Sequence, residues 1–270
     1  MIRLVVTDID GTLLHDHASV VVPEYFDLIR RLKRAGILFC AASGRQYESL
    51  ARLFAPVKKD LIYIAENGAE IRYKEKQILY RPMSLEASRE LVADTRSIPG
   101  AQSMYCTGET AYFEKGGTEV YRLMKDEYRF NCTMVEDLTQ LAEPCLKFSL
   151  YLKENVNEVT AAGFMPKWRR THEAACGGRY FMDVMEKGVN KGTALAEVQK
   201  LLGISKSETA AFGDNQNDLE MIGQAGVSFA VANARDEVKA AASFLVPANN
   251  EDGVLLCLRK ILRLAENKKL

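Results

Sequence analysis

The sequence has no excess of charge of either sign, since its 270 residues include 36 basic and 36 acidic side chains. A chain with balanced charge has no global electrostatic field that favours nucleic acid or an anionic membrane surface. It also lacks an uninterrupted apolar run near the roughly 18 residues that a membrane-spanning helix needs, and no basic-then-apolar leader follows Met1. We therefore expect a cytoplasmic protein that binds neither nucleic acid nor membrane.

Paired cysteines are missing as well. The six cysteines are scattered along the chain, without a CxxC pair or a neighbouring histidine. This spacing gives no support for a zinc site, and a cytoplasmic chain keeps its thiols reduced. The acids show no EF-hand spacing, which disfavours a calcium loop. We expect the cysteines to be packing residues.

What the sequence does contain is a set of short apolar runs, each ending abruptly in polar residues or glycine. They are RLVVTD, ILFCAASG, LIYIAENG, TAAFGD and VSFAVAN. Near-continuous apolar runs of this length are typical of parallel strands buried on both faces. Helical spacing occurs between them at residues 24–35 and 191–203, and the second helix is expected to place four residues on one buried face: Leu195, Val198, Leu201 and Leu202. The pattern predicts a doubly wound, Rossmann-like α/β core with a parallel sheet.

Residues 83–184 break this rhythm with longer polar segments and an apparent strand at KFSLYL. A segment of about 100 residues is long enough for an independent core. We therefore expect an inserted α/β domain at residues 83–184, and a core domain formed by residues 1–82 and 185–270. The expected linkers lie near Pro82–Ser84 and near Met185–Val189.

Polar residues stand at the carboxyl ends of the predicted strands, where ligands bind in an open α/β sheet. They are Asp8 and Asp10 after the first run, Ser43 and Gly44 after the second, Asn67 after the third, and Asp214, Asn217 and Asp218 after the fourth. Because the carboxyl ends of parallel strands meet at one edge of the sheet, we expect these residues to form a single site.

The acids of this predicted site need a cation. Three carboxylates that converge without a basic surplus repel one another, and a hard divalent cation bound through oxygen atoms relieves the repulsion. Mg²⁺ retains waters and takes one or two carboxylates together with a substrate phosphate, which suits Asp8 and Asp214 as ligands. Donors for such a phosphate are the Ser43 hydroxyl, the Gly44 amide and Lys191, which stands at the start of a predicted helix.

Four motifs follow one another along the chain: DIDGTLL, ASGR, NKG and GDNQND. With these motifs, and with ENGAEI, VANARDEVKAAASFL and NNEDGV elsewhere, the chain resembles the haloacid dehalogenase superfamily over its whole length, and specifically its Cof-type phosphatases. In that branch a large α/β cap is inserted between the second and third motifs. The resemblance implies the same fold for this chain, with the predicted inserted domain as its cap.

The resemblance also implies a role for each motif residue. Asp8 would be the nucleophile that forms an aspartyl-phosphate, and Asp10 the general acid and then the general base. Mg²⁺ would be held by Asp8, Asp214 and the backbone carbonyl of Asp10, with Asp218 supporting these ligands. The residues implied in binding the phosphoryl group or the substrate are Ser43, Lys191 and Asn217.

Three residues keep two interpretations. Asn67 is first of all a turn signal together with Gly68, and a substrate contact from its side chain stays open. Asp183 is interpreted as a linker or cap residue, with a substrate contact as the alternative. Arg45 either has a structural role or extends toward the cap.

The expected function is that of a Mg²⁺-dependent phosphatase, a phosphoric monoester hydrolase, for small phosphorylated metabolites, with sugar phosphates as the first substrate class. A carboxylate nucleophile is ionised at neutral pH and needs no activating base. Two alternatives stay open: a phosphomutase-like phosphotransferase, and a non-catalytic sensor of phosphorylated metabolites. Asp10 argues against the sensor, because binding alone needs no acid–base group. The choice between monomer and homodimer is open.

Overall fold

Two β-sheets organise the chain, and each has its own helices. The structure is a computed structural model, in which residues 1–176 and 179–267 are described. The described residues form fourteen strands: β1 (Leu4–Asp8), β2 (Leu38–Ala42), β3 (Leu61–Ala65), β4 (Glu70–Tyr73), β5 (Lys76–Tyr80), β6 (Gln102–Cys106), β7 (Ala111–Glu114), β8 (Cys132–Val135), β9 (Lys147–Tyr151), β10 (Glu173–Cys176), β11 (Phe181–Met185), β12 (Thr209–Gly213), β13 (Val227–Val231) and β14 (Phe244–Val246). They also form ten α-helices: α1 (Glu24–Arg34), α2 (Tyr47–Leu53), α3 (Leu85–Arg96), α4 (Thr118–Arg122), α5 (Val156–Thr160), α6 (Phe164–Arg169), α7 (Lys191–Leu202), α8 (Leu219–Gly223), α9 (Asp236–Ala241) and α10 (Gly253–Asn267).

The larger sheet is the predicted doubly wound core. Its strands lie in the order β14, β13, β12, β1, β2, β3, β4, β5. The first six are parallel, and β4 and β5 extend the sheet in antiparallel fashion. All five apolar runs of the sequence are strands of this sheet, and every residue of β1 and β12 is buried, as expected for strands covered on both faces. The predicted fold class is confirmed.

Helix α7 carries the NKG motif at its start. The side chain of Asn190 accepts a hydrogen bond from the amide of Thr193, and the two residues form a capping box. The predicted buried face is wrong at Leu201, whose side chain is 53% exposed, whereas Val198 is buried. Each residue advances roughly 100° around the helix. Leu201 therefore lies to one side of the face that Val198 presents to the core.

The smaller sheet is an inserted α/β cap, because its strands lie between β5 and α7 in the chain. Its strands lie in the order β10, β11, β9, β6, β7, β8, and only β7 and β8 are parallel neighbours among them. A separate apolar cluster packs on this sheet and includes Leu91 of α3, Phe148 of β9 and Trp168 of α6. Residues 177–178 and 268–270, which the predicted domain ranges include, lie outside the described residues.

The structure bears on two expectations from the sequence, the absence of a membrane-spanning helix and the packing role of the cysteines. Within residues 1–176 and 179–267, no helix combines the length and apolarity needed to cross a bilayer. All six cysteines are free thiols, and five of them are buried. The cysteines thus occupy packing positions, as predicted.

A tight turn after β3, formed by residues 66–68 and here called the ENG turn, connects several parts of the site. All three of its residues have positive φ, at 47°, 54° and 106°. The N–H groups of its first two residues donate to the carbonyl oxygens of Arg45 and Ser43, both at 3.0 Å. A Cβ atom on Gly68 would lie 2.4 Å from the carbonyl oxygen of Asn190. The turn therefore packs directly against the loop after β2 and against the start of α7.

The side chain of Glu66, the first residue of the ENG turn, is fully buried beneath the cap. Lys147 of β9 holds its Nζ 3.2 Å from Glu66 Oε2, an ion-pair distance, but neither Oε atom has a hydrogen-bond partner of good geometry among the described residues. Burial raises the pKa of Glu66 to about 7, with Lys147 opposing the rise and Asp183 and Glu70 adding to it. Glu66 is therefore a buried carboxyl group that ionises near neutral pH.

Replacement of Gly68 with alanine is expected to lower the free energy of unfolding by roughly 3 kcal/mol, since a left-handed alanine costs about 1 kcal/mol and overpacking adds about 1–3 kcal/mol. Gly36→Ala is the matched control, because Gly36 also has positive φ, at 87°, but has no atom within 4 Å of an added Cβ. Its loss should be near 1 kcal/mol. Urea denaturation measures both losses, and equal values would contradict the close packing of the ENG turn.

Replacement of Glu66 with glutamine is expected to change how stability depends on pH. The folded-state pKa of about 7 lies above the ordinary value of 4.5, so the folded chain keeps a proton that the unfolded chain has lost. This stabilisation is fully present below the unfolded pKa and is lost as pH rises through the folded pKa. A pKa that rises from 4.5 to about 7 corresponds to a loss of roughly 3 kcal/mol in the free energy of unfolding.

As pH rises from about 5 to about 8, the native chain should lose stability that the Glu66→Gln variant keeps. The free energy of unfolding of the variant minus that of the native chain should therefore rise by up to roughly 3 kcal/mol. Urea denaturation of both chains at each pH, with EDTA present, measures this gain. Groups that titrate equally in both chains cancel in the comparison. The same difference at both pH values would show that Glu66 does not ionise in this interval.

Candidate active site

The predicted site residues meet at one edge of the core sheet, beyond the carboxyl ends of β1, β2, β3 and β12. Asp8 is the last residue of β1, and Lys191 is the first residue of α7. The loops that follow the strands supply the remaining residues: Asp10, Ser43, Gly44, Asn67, Asp214, Asn217 and Asp218. The structure thus brings together all of the side chains that the sequence assigns to the site.

Three acids form a tight group at this edge. One carboxylate oxygen from each of Asp8, Asp214 and Asp218 lies within 4.8 Å of the others. Burial raises the pKa of Asp8 well above its usual value, and Lys191 opposes this while the neighbouring acids add to it. Burial, followed by repulsion from Asp218, raises the pKa of Asp214 to about 6. The three acids together therefore carry more negative charge than the neighbouring protein groups stabilise.

Lys191 supplies the one ammonium group that directly contacts these acids in the described part of the chain. Its side chain is buried, and its Nζ lies 2.5 Å from Asp8 Oδ1 and 2.7 Å from Asp218 Oδ1. Burial alone would lower the pKa of Lys191, but Asp218 and Asp8 raise it above its usual value. The lysine is therefore held fully charged between two carboxylates.

Both carboxylate oxygens of Asp218 accept hydrogen bonds from the protein itself. Its Oδ1 accepts from Lys191, and its Oδ2 accepts from the backbone N–H groups of Asp214 and Asn215 at 3.0 and 3.1 Å. A Cβ on Gly213 would lie 2.6 Å from Asp218 Cβ, so the GDNQND loop can close around this carboxylate only with glycine there. Asp218 is suited to hold the loop and Lys191 in place rather than to bind a cation directly.

Asp214 is differently placed, because its carboxylate faces the DIDGT loop after β1 and Asp8 rather than Lys191. Thr12 donates its hydroxyl to Asp214 Oδ1 at 2.5 Å. A Cβ on Gly11 would lie 2.7 Å from Asp214 Oδ2, so the glycine of DIDGT lets this carboxylate approach β1 closely. The sequence reasoning did not identify Thr12, although its place in DIDGT was a signal that could have led to it.

Asp10 is held by Arg45 of the ASGR motif. The guanidinium donates to both carboxylate oxygens, at 2.8 Å from Nε and 2.5 Å from the terminal nitrogen. Arg45 is itself buried and lies over the ring of Tyr128, 4.7 Å from its centre. Of the two interpretations of Arg45, both are right, since it orients Asp10 and also contacts the cap.

Ser43 and Gly44 form a loop just after β2, beside Asp8. The Ser43 Oγ accepts from the backbone N–H of Arg45 at 3.2 Å, so its own hydroxyl proton remains free to donate. The carbonyl oxygen of Gly44 accepts from Lys147 Nζ at 2.6 Å. The cap therefore touches this loop directly.

Asn67 links the core to the cap through its side-chain amide. Its Oδ1 accepts from Asn217 Nδ2 at 3.0 Å, and its Nδ2 donates to Asp183 Oδ2 at 2.7 Å. Ser149 donates to the other oxygen of Asp183 at 2.5 Å. Both Asn67 and Asp183 also line the cavity described next, but each amide or carboxylate already has partners within the protein.

A cavity of about 160 Å³ lies between the core edge and the cap. Its core end is polar and contains Asp8, Asp10 and Ser43. Its cap end is mostly apolar, and it is lined there by Met104, Met124, Tyr128, Phe130 and Phe181 together with Lys147 and Asp183. The arrangement can hold a phosphate at the polar end, beside Asp8 and Ser43, with the rest of a small molecule against the cap.

Apart from Asp183, the cap residues of this cavity are the functional candidates that sequence reasoning missed. Lys147 is the clearest, because it is buried although it begins the apolar run KFSLYL. A lysine inside an apolar strand is costly unless its charge has partners. A lysine in an apolar run was therefore a signal in the sequence, but only the structure shows which groups surround Lys147.

Comparison with known proteins places the chain in a family. The sequence pattern of the haloacid dehalogenase-like hydrolases matches residues 5–258. The chain is 30% identical over 270 residues to the Escherichia coli 5-amino-6-(5-phospho-D-ribitylamino)uracil phosphatase YbjI, with 97% of each chain covered. It is 26% identical to phosphoglycolate phosphatase 1 of Saccharolobus solfataricus, also with 97% of each chain covered.

Solved structures agree with this assignment. A Eubacterium rectale protein superposes with a TM-score of 0.86 at 35% identity, over 96% of this chain and 99% of that one. A Streptococcus mutans protein superposes with a TM-score of 0.89 at 27% identity, over 97% and 100% of the two chains. With a family match that spans nearly the whole chain and relatives that are phosphatases, this chain belongs to the haloacid dehalogenase-like hydrolases, as a phosphatase of the Cof-type branch.

Proposed function

We propose that this chain is a Mg²⁺-dependent phosphatase that transfers the phosphoryl group of a small metabolite first to Asp8 and then to water. The observation that carries this proposal is the buried Lys191 ammonium, which lies 2.5 Å from Asp8, while Asp8 itself lines the polar end of the cavity. A charged lysine beside a carboxylate can bind a phosphoryl group that approaches the same carboxylate.

The donor set fits Mg²⁺. Three carboxylates face one ammonium, and the pKa values of Asp8 and Asp214 are both raised by burial, so a hard cation would stabilise their charged forms. Asp8, Asp214 and the backbone carbonyl of Asp10 would hold it, because Asp218 is already saturated by Lys191 and two backbone N–H groups. Bound there, the cation would offset the charge of the carboxylates and of the substrate phosphate.

The chemistry proceeds in two displacements. In the first, an Asp8 carboxylate oxygen forms a bond to phosphorus while the bond from phosphorus to the substrate oxygen breaks, and Asp10 protonates that leaving oxygen. In the second, Asp10 takes a proton from water, which attacks phosphorus and releases Asp8 and inorganic phosphate. Each like-charge contact at about 4 Å costs about 4 kcal/mol at an effective dielectric constant near 20. Lys191, the Ser43 hydroxyl and the Gly44 amide would offset this cost.

The substrate side of the cavity is mostly apolar. Five apolar or aromatic side chains, Met104, Met124, Tyr128, Phe130 and Phe181, line the cap end of the cavity. They favour a leaving group that presents a flat or apolar part beyond the phosphorylated carbon. The Escherichia coli relative is named for a phosphoribityl compound with a uracil ring. A ring-bearing polyol phosphate is therefore the second substrate class for this chain, beside the sugar phosphates.

The remaining organisation is proposed on the same basis. Residues 1–82 and 185–270 would form the catalytic core and residues 83–184 the cap that excludes water, in a cytoplasmic protein. Transfer to a second hydroxyl, as in a phosphotransferase, would require an acceptor. A non-catalytic sensor would need neither Asp8 as nucleophile nor Asp10.

Asp8→Asn is expected to lower kcat by at least about 10⁴-fold, because the amide cannot form the acyl phosphate. Asp10→Asn should lower kcat by about 10²–10⁴-fold, since proton transfer is lost while binding remains. Release of inorganic phosphate from sugar phosphates, a ring-bearing polyol phosphate and an aryl phosphate, with and without Mg²⁺, measures both effects.

Asp27→Asn is the control in this assay, because Asp27 is an exposed residue of α1. Turnover that Asp8→Asn leaves unchanged would overturn the mechanism. Phosphate release from an aryl phosphate only after an alcohol acceptor is added would favour the phosphotransferase, and tight binding without any turnover would favour the sensor.

Asp214→Asn is expected to raise the melting temperature without metal and to abolish the further rise that Mg²⁺ gives the native chain. The amide removes a buried charge repelled by Asp218 and can still accept from Thr12, but it is a weaker cation ligand. For the native chain, Mg²⁺ at 100 times its Kd should add about 2.7 kcal/mol of stability.

Thermal unfolding with EDTA and with Mg²⁺ tests the Asp214 prediction. Asp236→Asn is the matched control, because that side chain is fully exposed and should leave both values unchanged. An undiminished Mg²⁺ effect in Asp214→Asn would exclude Asp214 as a ligand.

A further inference from the structure

Lys147 reaches from the cap strand β9 into the phosphate-binding side of the core. Its side chain is buried, and its Nζ donates to the carbonyl oxygen of Gly44 at 2.6 Å. The same Nζ lies 3.2 Å from Glu66 Oε2 and 3.6 Å from Asp183 Oδ2. These four residues, Lys147, Gly44, Glu66 and Asp183, are called the cap clamp below. Glu66 and Gly44 belong to the core, and the other two belong to the cap.

The Gly44 carbonyl belongs to the peptide group that also orients Ser43. That peptide joins Gly44 to Arg45, and its N–H donates to Ser43 Oγ at 3.2 Å. Lys147 therefore holds one end of a planar unit whose other end holds the Ser43 hydroxyl. A cap residue is thus connected, through one rigid peptide, to a hydroxyl group proposed to bind phosphate.

The ENG turn holds the same loop from the other side. Its backbone N–H groups donate to the carbonyls of Arg45 and Ser43, and its Asn67 side chain bridges Asn217 and Asp183. The turn thus presents Glu66 to Lys147 and receives Asp183 from the cap. The loop after β2 is fixed between core backbone and cap side chains.

Attachment of the cap does not require this buried charge. Cap–core bonds exist elsewhere, since Arg52 of α2 donates to the carbonyl of Arg129 and to Asn131, and Ser49 donates to the carbonyl of Tyr128. Apolar residues usually attach two surfaces at less cost than buried ions do. The position of Lys147 on the Gly44 carbonyl instead suits the fixing of a loop geometry.

We propose that Lys147 is a positioning residue that completes the phosphate-binding loop when the cap lies over the core, so that phosphate binding and cap placement are coupled through the cap clamp. This inference rests on the proposed function in one respect, namely that the Ser43–Gly44 loop binds phosphate. It assigns part of phosphate binding to a cap residue that lies outside the four motifs.

The test compares variants for binding of inorganic phosphate and for turnover. The Glu66→Gln/Lys147→Met double variant removes the Lys147 ammonium together with the Glu66 carboxyl group beside it, and Asp183 keeps its bonds to Ser149 and Asn67. Lys147→Arg keeps the charge but changes the position of the donor. Arg52→Ala is the matched control, because it severs cap–core hydrogen bonds that do not touch the phosphate loop.

Two measurements are needed for each chain, both with Mg²⁺ present. One is the phosphate dependence of the melting temperature, which requires no turnover. The other is kcat/KM for an aryl phosphate and for a sugar phosphate, together with the inhibition constant of inorganic phosphate. Displacement of a binding group by about 1 Å can cost about 10²-fold. The double variant should therefore bind phosphate about 10- to 100-fold more weakly and lose kcat/KM by a similar factor for both substrates.

The two remaining variants show whether a loss of phosphate affinity comes from the position of the Lys147 donor or from a weaker cap–core contact in general. Lys147→Arg should give a smaller loss in phosphate affinity, and Arg52→Ala should leave the affinity within about twofold of the native value. If the double variant does not fold, the same comparison rests on Lys147→Arg, which keeps a cation beside Glu66 and Asp183.

Three results would overturn the proposal: an unchanged phosphate constant with a lower melting temperature, a loss confined to one substrate, or the absence of phosphate binding by the native chain. The first would make the cap clamp merely structural, and the second would make Lys147 a contact to the leaving group. Failure of the proposed function is distinguishable, because it would appear as native turnover that does not depend on Asp8 while the phosphate effect on melting still tests the cap clamp.

Discussion

The buried ammonium of Lys191, shared between Asp8 and Asp218, is the contact on which the rest of the site depends. Without it, three carboxylates would stand within 4.8 Å of one another at the end of a buried strand. With it, one positive charge faces three acids, which is too little for neutrality but enough to hold Asp8 and the GDNQND loop together. The imbalance that remains suits a divalent cation and then a phosphate.

The sheet makes this concentration of charge geometrically inevitable. Parallel strands end at one edge, so residues separated by more than 200 positions, such as Thr12 and Asp214, become neighbours there. Glycines allow the final approach: Gly11 admits the Asp214 carboxylate, and Gly213 admits Asp218. Burial then has a chemical effect, because it raises the pKa values of Asp8 and Asp214 while Lys191 remains charged.

The core was predictable from sequence because each of its signals is local. Continuous apolar runs specify parallel strands, and the polar residues that end them, such as Asp8 and Asp214, were expected at one edge of the sheet. Lys191 was expected there because it stands at the start of a predicted helix. The prediction for Leu201 failed for a local reason too, because Leu201 lies outside the part of the α7 surface that Leu195 and Val198 present to the core. The substrate side of the cavity could not be predicted, because Met124 and Phe181 carry no motif. Their role depends on how an inserted domain docks.

Lys147 shows why docking carries information that motifs do not. Two buried lysines serve the site, and each lies between two acids: Lys191 between Asp8 and Asp218, and Lys147 near Glu66 and Asp183. The partners of Lys191 all come from the core, whereas those of Lys147 come from both domains. The first lysine therefore exists as a charged site whenever the core is folded.

The second lysine finds its full set of partners only when the cap covers the core. Glu66 is buried beside this lysine, and burial raises its pKa to about 7. A carboxyl group that ionises in such surroundings gains a charge without gaining solvent, and Lys147 is the cation that offsets it. The lysine that holds the Gly44 carbonyl thus also stabilises a core carboxylate beneath the cap.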